Sequence, residues 1–398
     1  MNTDKQTAKK GVRNIIMLGL VSCFADISSE MVYPLIPLYL TAAFGATPAL
    51  VGIIEGIAES IASLLKVFSG YISDRFQHKK AIAFCGYATG VLYKIALLFA
   101  GSWAGILTAR VIDRFGKGVR TAPRDVMVAE SADKKSMGKA FGIHKMLDMA
   151  GSATGILLAF LLMKRIGNDG YQTVFAISII PIVIALLLFF FIHEKKEQRE
   201  IIQREHFWKN ISKLDSRLKL YLFVTFLFTL GNSSNSFLLL RASDMGFESG
   251  STILLYFIYN LTASILAIPC GKLSDRIGRK RLLVGGYLNF SLVYFGLAFC
   301  NTKPLMILIF MVYGLFTAMT AGVERAFIAE IAPPQLKGTM LGLHSTLAGI
   351  ALLPASVIAG FLWDGMGASA PFIYGGVMAL LAAAILAFKL RSTLMHQK

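Results

Sequence analysis

The sequence predicts an all-α membrane protein, with twelve transmembrane helices arranged as two pseudo-symmetric six-helix bundles. Three observations carry this prediction. The 398-residue chain is 55% hydrophobic and only 16% charged, whereas soluble domains carry about 25% charged residues. Apolar stretches long enough to cross about 30 Å of hydrocarbon recur from end to end. Short motifs also return at a spacing near 200 residues. Strand-period alternation is absent, which argues against a transmembrane β-barrel.

Turn residues and charges divide the chain into spans at 14–41, 47–73, 81–100, 103–131, 136–163, 171–193, 219–242, 249–274, 281–300, 304–331, 336–363 and 371–390. The first follows a basic N-terminus, but its apolar run continues past Asp26 and Glu30, too far for a cleaved signal peptide. Tyr33, Pro34 and Pro37 are placed to bend it. Lys and Arg crowd the N-terminus and every second loop, and only Lys164, Arg165, Arg241 and Lys303 fall on the other side. This asymmetry puts both termini in the cytoplasm. It also accounts for the net charge of +17 without nucleic acid, although the basic loops can touch anionic membrane lipid. The long polar connection from His193 to Lys219 is a linker at 194–218 between bundles at 1–193 and 219–398. It is either a helix on the membrane surface or a solvated tether. Cys23, Cys85, Cys270 and Cys300 show neither paired nor metal-ligand spacing. No metal, cofactor or enzyme constellation is expected, and a monomer is.

The halves repeat. "GYISDRFQHKK" at Gly70–Lys80 corresponds to "GKLSDRIGRKR" at Gly271–Arg281, 201 residues on. Ala129, Glu130, Ala132, Gly138, Gly142 and His144 correspond to Ala329, Glu330, Ala332, Gly338, Gly342 and His344, an offset of 200. Two matches at nearly one offset indicate a parallel duplication. The duplicated histidines are expected to be structural.

These loops resemble the signature loop of the major facilitator superfamily, G-x-x-x-D-R-x-G-R-K/R, between helices two and three and again between eight and nine. The second copy is complete in Gly271, Asp275, Arg276, Gly278, Arg279 and Lys280. The first keeps Gly70, Asp74, Arg75, Lys79 and Lys80 but has Gln77 where the pattern has Gly. The resemblance covers the whole chain and implies a transporter whose loops gate the cytoplasmic side; the rival reading is a positive-inside anchor. Arg110-x-x-Asp113-x-x-Gly116 is similar to a degenerate form of the superfamily's helix-four motif, whose Arg is associated with proton coupling. Gly142-x8-Gly151-x3-Gly155 is similar to the exchanger-associated motif of helix five, with Ile156 in place of Pro, and favours export.

The fourth span is the anomaly. "RVIDRFGKGVRTAPRD" at Arg110–Asp125 places Arg110, Asp113, Arg114, Lys117, Arg120 and Arg124 three or four residues apart, on one helical face. Val111, Ile112, Phe115, Val119, Ala122 and Val126 make the other face. A charged stripe in a membrane must face protein or water. Arg120 and Arg124 are expected to snorkel toward the interface, and Pro123 to kink or end the helix. Counter-charges are available in Asp26 and Glu30, Glu55 and Glu59, and Asp148, because unpaired membrane charges cost about 2.5–3.5 kcal/mol each. Lys66 and Lys94 are expected to snorkel or pair.

Two readings of the stripe stand side by side. It is a structural network fastening helices one, two, four and five. Or Arg110, Arg114 and Lys117 receive a carboxylate or phosphate while Glu30, Glu59 or Asp148 titrates. The second half is less charged, and Asn232 and Asn235 in "GNSSNS" offer neutral hydrogen bonds to a substrate or to a neighbouring helix. No G-x-x-x-x-G-K-[ST] sequence occurs, so ATP drive is not expected. The expected function is therefore proton-coupled secondary transport of a small organic solute, with export favoured. The alternatives are proton-coupled import of an anionic metabolite, a non-transporting sensor with the same fold, and a lipid flippase.

Overall fold

The computed structural model describes residues 2–75, 79–131, 137–167, 170–194, 216–331 and 337–389, which are helical apart from short connections. Eleven of the helical stretches are long and apolar enough to cross a membrane. These are α1 (Gly11–Phe44), α2 (Pro48–Arg75), α3 (Lys79–Leu98), α5 (Met137–Ile166), α6 (Tyr171–Phe189), α7 (Ser216–Asp244), α8 (Ser249–Ile277), α9 (Arg279–Phe299), α10 (Lys303–Ile328), α11 (Lys337–Met366) and α12 (Ala370–Lys389). The twelfth, α4 (Trp103–Ser131), has the length but carries the charged stripe. The chain is a multi-pass membrane protein.

Several helices are interrupted where their sequences disfavour regular winding. In α1 a 3-10 turn at Tyr33–Leu35 accommodates Pro34. The continuous helix expected over 219–242 is opened at Asn232–Asn235. Asn and Ser side chains compete for backbone groups there: Ser234 Oγ accepts from the Ser236 N–H at 3.3 Å, and the Ser234 N–H donates to Ser356 Oγ at 3.2 Å. A turn at 321–322 likewise divides α10. Pro123 does not end α4, one of the two outcomes expected for it; it is buried within a helix that runs on to Ser131. Neighbouring helices make a transmembrane proline tolerable.

The chain forms two compact units. The first comprises Met1–Gly45, Ile61–Ile202 and Ser249–Leu254. Its core joins Leu18, Val21 and Ala25 of α1 to Tyr87 of α3, Met127 of α4, and Ile182, Ala185 and Phe189 of α6. Glycines bring α5 against α1: a Cβ on Gly151 would strike the Cys23 carbonyl, and one on Gly155 would stand 2.5 Å from the Ile27 carbonyl. Gly86 does the same for α3 and α4, where a Cβ would lie 2.7 Å from Arg120 Cβ.

The second unit comprises Ala46–Ser60, Gln203–Glu248 and Leu255–Lys398. Its interior is aromatic, with Phe228 stacked on Tyr287 at 4.1 Å and Phe290 on Tyr294 at 3.9 Å. The Pro48–Ser60 part of α2 packs on α11, where Ser60 Oγ donates to the Gly349 carbonyl at 2.5 Å.

Contacts repeat at the 200-residue offset. Lys79 pairs with Glu130, and Arg279 with Glu330 at 3.0 Å. Lys80 Nζ donates to the Ile192 carbonyl at 2.6 Å, and Lys280 Nζ to the Ala387 carbonyl at 3.1 Å. The donors Lys79 and Lys80 recur as Arg279 and Lys280, one residue out of register with the signature-loop match, and bind equivalent or nearby acceptors.

Gly151→Ala should lower the melting temperature of the purified protein, since overpacking costs about 1–3 kcal/mol. Gly271→Ala, where no neighbour lies within 4 Å of the added carbon, should not.

Candidate functional site

The face of α4 predicted from spacing is the buried face. Arg110 is 1% exposed, and Asp113, Arg114 and Arg120 are also buried, while Phe115 on the other side is 48% exposed. The stripe thus turns its charge into protein and its apolar side outward.

Within the first unit the stripe is organised around two acceptors and two aromatic rings. Asp113 sits between Arg110 and Arg114, each with a guanidinium nitrogen 3.6 Å from its Oδ2. Both guanidiniums also lie over the ring of Tyr33, at 5.2 and 5.5 Å from its centroid, the geometry of a cation–π contact. The 3-10 turn in α1 puts that ring there. Glu30, one turn earlier on α1, is within electrostatic reach of Arg110, Arg114 and Lys117. Lys117 is half-buried and acts on Glu30, Asp26 and Asp113 alike.

Further along α4, Arg120 lies 4.4 Å over the Tyr87 ring and 4.0 Å from Asp26. It does not snorkel as expected: Gly86 draws α3 so close that the Arg120 side chain is enclosed. The Asp26 carboxyl on α1 and the Asp148 carboxyl on α5 are near enough to act on one another electrostatically. Lys145 Nζ donates to Asp148 at 2.8 Å. Arg124 Nη1 donates to Ser22 Oγ at 3.2 Å, and that hydroxyl lies 3.1 Å from both Tyr87 Oη and His144 Nε2.

The first unit therefore brings together Asp26, Glu30, Arg110, Asp113, Arg114, Lys117 and Asp148 from the sequence expectation. Glu55, fully buried, and Glu59 lie on the part of α2 that belongs to the second unit. Asn232 and Asn235 are also in the second unit, where Asn235 Oδ1 accepts a hydrogen bond from Tyr313 Oη at 2.8 Å. Gly278 adopts φ 94° at the end of α8, so the complete signature loop uses its glycine for a turn that side chains resist. Asp275 and Arg276 are exposed, and Arg279 lies 3.6 Å from Asp275. Gly70, Asp74 and Arg75 lie on the last turns of α2, but their side chains, Lys66 and Gln77 fall outside the described residues, as does most of the linker.

Sequence reasoning undervalued Lys94. It is 1% exposed and rests 4.2 Å over the Tyr93 ring, within electrostatic reach of Asp113. Its signal was a lone cation in the middle of "GVLYKIALL". Tyr87 and Ser22 were missed because neither type stands out in an apolar helix.

Twelve membrane helices, a duplicated signature loop and a buried charged fourth helix coincide with a family match. The Major Facilitator Superfamily profile matches residues 18–239 and again 221–398. The chain belongs to the major facilitator superfamily. An uncharacterized transporter of this superfamily from Methanocaldococcus jannaschii is 34% identical over 94% of each chain. The gentisate transporter of Corynebacterium glutamicum is 23% identical, covering 94% of this chain and 87% of its own, and the cis,cis-muconate transport protein of Acinetobacter baylyi is 22% identical over 80% of each. Among solved structures, the nucleoside transporter NupG superposes with a TM-score of 0.82 at 12% identity, over 94% of this chain and 99% of its own. The protein is a secondary transporter, not an enzyme.

Asp113→Asn should lower stability sharply, because removing one partner of a buried ion pair costs about 3–5 kcal/mol. In thermal melts the double variant Arg110→Gln/Asp113→Asn should lose less than the sum of its two single variants.

Proposed function

We propose that this protein is a proton-coupled transporter of a small organic carboxylate, bound by the charged face of α4. The observation that carries this is the pair of guanidiniums, Arg110 and Arg114, stacked over one Tyr33 ring. Two planar forks a turn apart match the oxygens of a carboxylate, and a tyrosine face suits a flat, conjugated carbon skeleton. Lys117 and Lys94 add compact positive charge beside them. The named cargo of two relatives, gentisate and cis,cis-muconate, supports this chemistry.

The Asp26–Asp148 pair is the proposed proton carrier in this unit, since an approaching anion or the movement of Arg120 changes which carboxyl form is favoured. Uptake is the direction we favour. An anion entering a negative-inside cell moves against about 2.3 kcal/mol per charge per 100 mV, and a proton carried along cancels that cost. The glycine spacing that favoured export is used to pack α5 on α1, a role independent of direction. In this reading the bundles at 1–193 and 219–398 rock about the linker, both termini lie in the cytoplasm, and the signature loops, with Asp74 and Arg75 in the first copy and Asp275, Arg276 and Arg279 in the second, gate the inner side. The protein works as a monomer in the cytoplasmic membrane.

Proteoliposomes holding the purified protein should take up labelled gentisate or cis,cis-muconate when the outside is acidified. Arg114→Gln should reduce that uptake at least tenfold and abolish the ligand-induced rise in melting temperature. Undiminished uptake by the folded variant would remove the α4 anion site.

A further inference from the structure

Lys94 of α3 is a buried cation without a close counter-charge. It is 1% exposed, so it does not snorkel, and its ammonium lies 4.2 Å from the centroid of the Tyr93 ring. Among the described residues its Nζ makes no hydrogen bond and has no carboxylate within 4.0 Å. The acid that acts on it is Asp113 of α4, while Lys117, Arg120 and Arg110 of that helix act on it with like charge. A ring face holds an ammonium at modest energy, and a buried ion without hydrogen bonds is costly. The arrangement is economical only if an anion comes to Lys94 in another state of the molecule.

Asp113 is the anion placed to do so, because its own partners hold it loosely. Arg110 and Arg114 reach its Oδ2 at 3.6 Å, beyond the about 2.7–2.9 Å of a charge-assisted hydrogen bond. Lys117 is shared with Glu30 and Asp26. If α4 binds a carboxylate, the cargo and Asp113 are like charges drawn to the same two guanidiniums, and one must give way. We propose that Lys94 is a positioning residue: when a cargo carboxylate takes Arg110 and Arg114, the displaced Asp113 carboxylate closes on the Lys94 ammonium. This inference rests on the proposed α4 carboxylate site and assigns Lys94 to Asp113 rather than to the cargo. The flexible four-carbon stem of lysine lets the ammonium leave the Tyr93 ring without a shift of the backbone. Each ion then has a partner in both states: Asp113 on the guanidiniums and Lys94 on its ring when empty, cargo on the guanidiniums and Asp113 on Lys94 when loaded. No proton is transferred and no covalent bond changes.

Gentisate exchange by the full-length protein in proteoliposomes tests the swap. In Lys94→Met the Asp113 carboxylate stays on the guanidiniums and competes with the cargo, so KM should rise about tenfold while kcat changes by less than about threefold. Lys94→Arg keeps the charge and should recover most of the loss. Solid-state NMR of the protein carrying isotope-labelled lysine follows the amine itself. The Nζ signal that is missing from Lys94→Arg should shift in the wild type when gentisate is added. An unchanged KM in Lys94→Met, equal impairment of Lys94→Met and Lys94→Arg, or a Lys94 signal that gentisate leaves in place would overturn the role of Lys94 while the α4 site stands. A wild type that exchanges neither gentisate nor cis,cis-muconate would overturn the α4 site, and this inference with it.

Discussion

The structure is governed by one constraint: charge placed in a low-dielectric interior must be answered by charge, hydrogen bonds or aromatic faces close by. The fourth helix brings Arg110, Asp113, Arg114, Lys117 and Arg120 into such an interior. Each exposed membrane charge would cost several kcal/mol, a sum larger than the net stability of most domains. The rest of the first unit can be read as the answer. The 3-10 turn of α1 places Tyr33 beneath two guanidiniums, Gly86 lets α3 close over Arg120, and Gly151 and Gly155 bring α5 and its Asp148 against Asp26 on α1.

A network that only fastened helices would gain nothing from such composition, since hydrophobic replacements of buried ion pairs are often neutral or stabilising. The retained charges make sense in a transporter, where ion pairs must break and reform as the chain cycles. Cation–π contacts suit that purpose. They hold a guanidinium at modest energy and leave its donors directed at whatever enters the plane of the fork. The first unit buries a row of fixed positive charges on α4, whereas the interior of the second is largely aromatic.

Much of this was legible in the sequence. Eleven spans follow from hydropathy and the twelfth, α4, from its length, and the buried face of α4 follows from steps of three and four residues. The repeat was visible in the signature loops and in His144 and His344, and the structure adds matching hydrogen bonds from Lys80 and Lys280. What sequence could not supply was the depth to which neighbours enclose a side chain. Arg120 has the length to snorkel, and only the Gly86 contact shows why it does not. Pro123 reads as a breaker until its neighbours are known. The opening of α7 at Asn232–Asn235 depends on a serine 122 residues away at Ser356, which no local window contains.

The most direct measurement is calorimetric titration of gentisate into the purified protein in two buffers of different ionisation enthalpy. If the anion binds on α4 and is linked to a buried carboxyl, binding should be accompanied by uptake of about one proton per anion near neutral pH, and Arg114→Gln should abolish the heat. Binding that takes up no proton, or that persists in Arg114→Gln, would contradict the account.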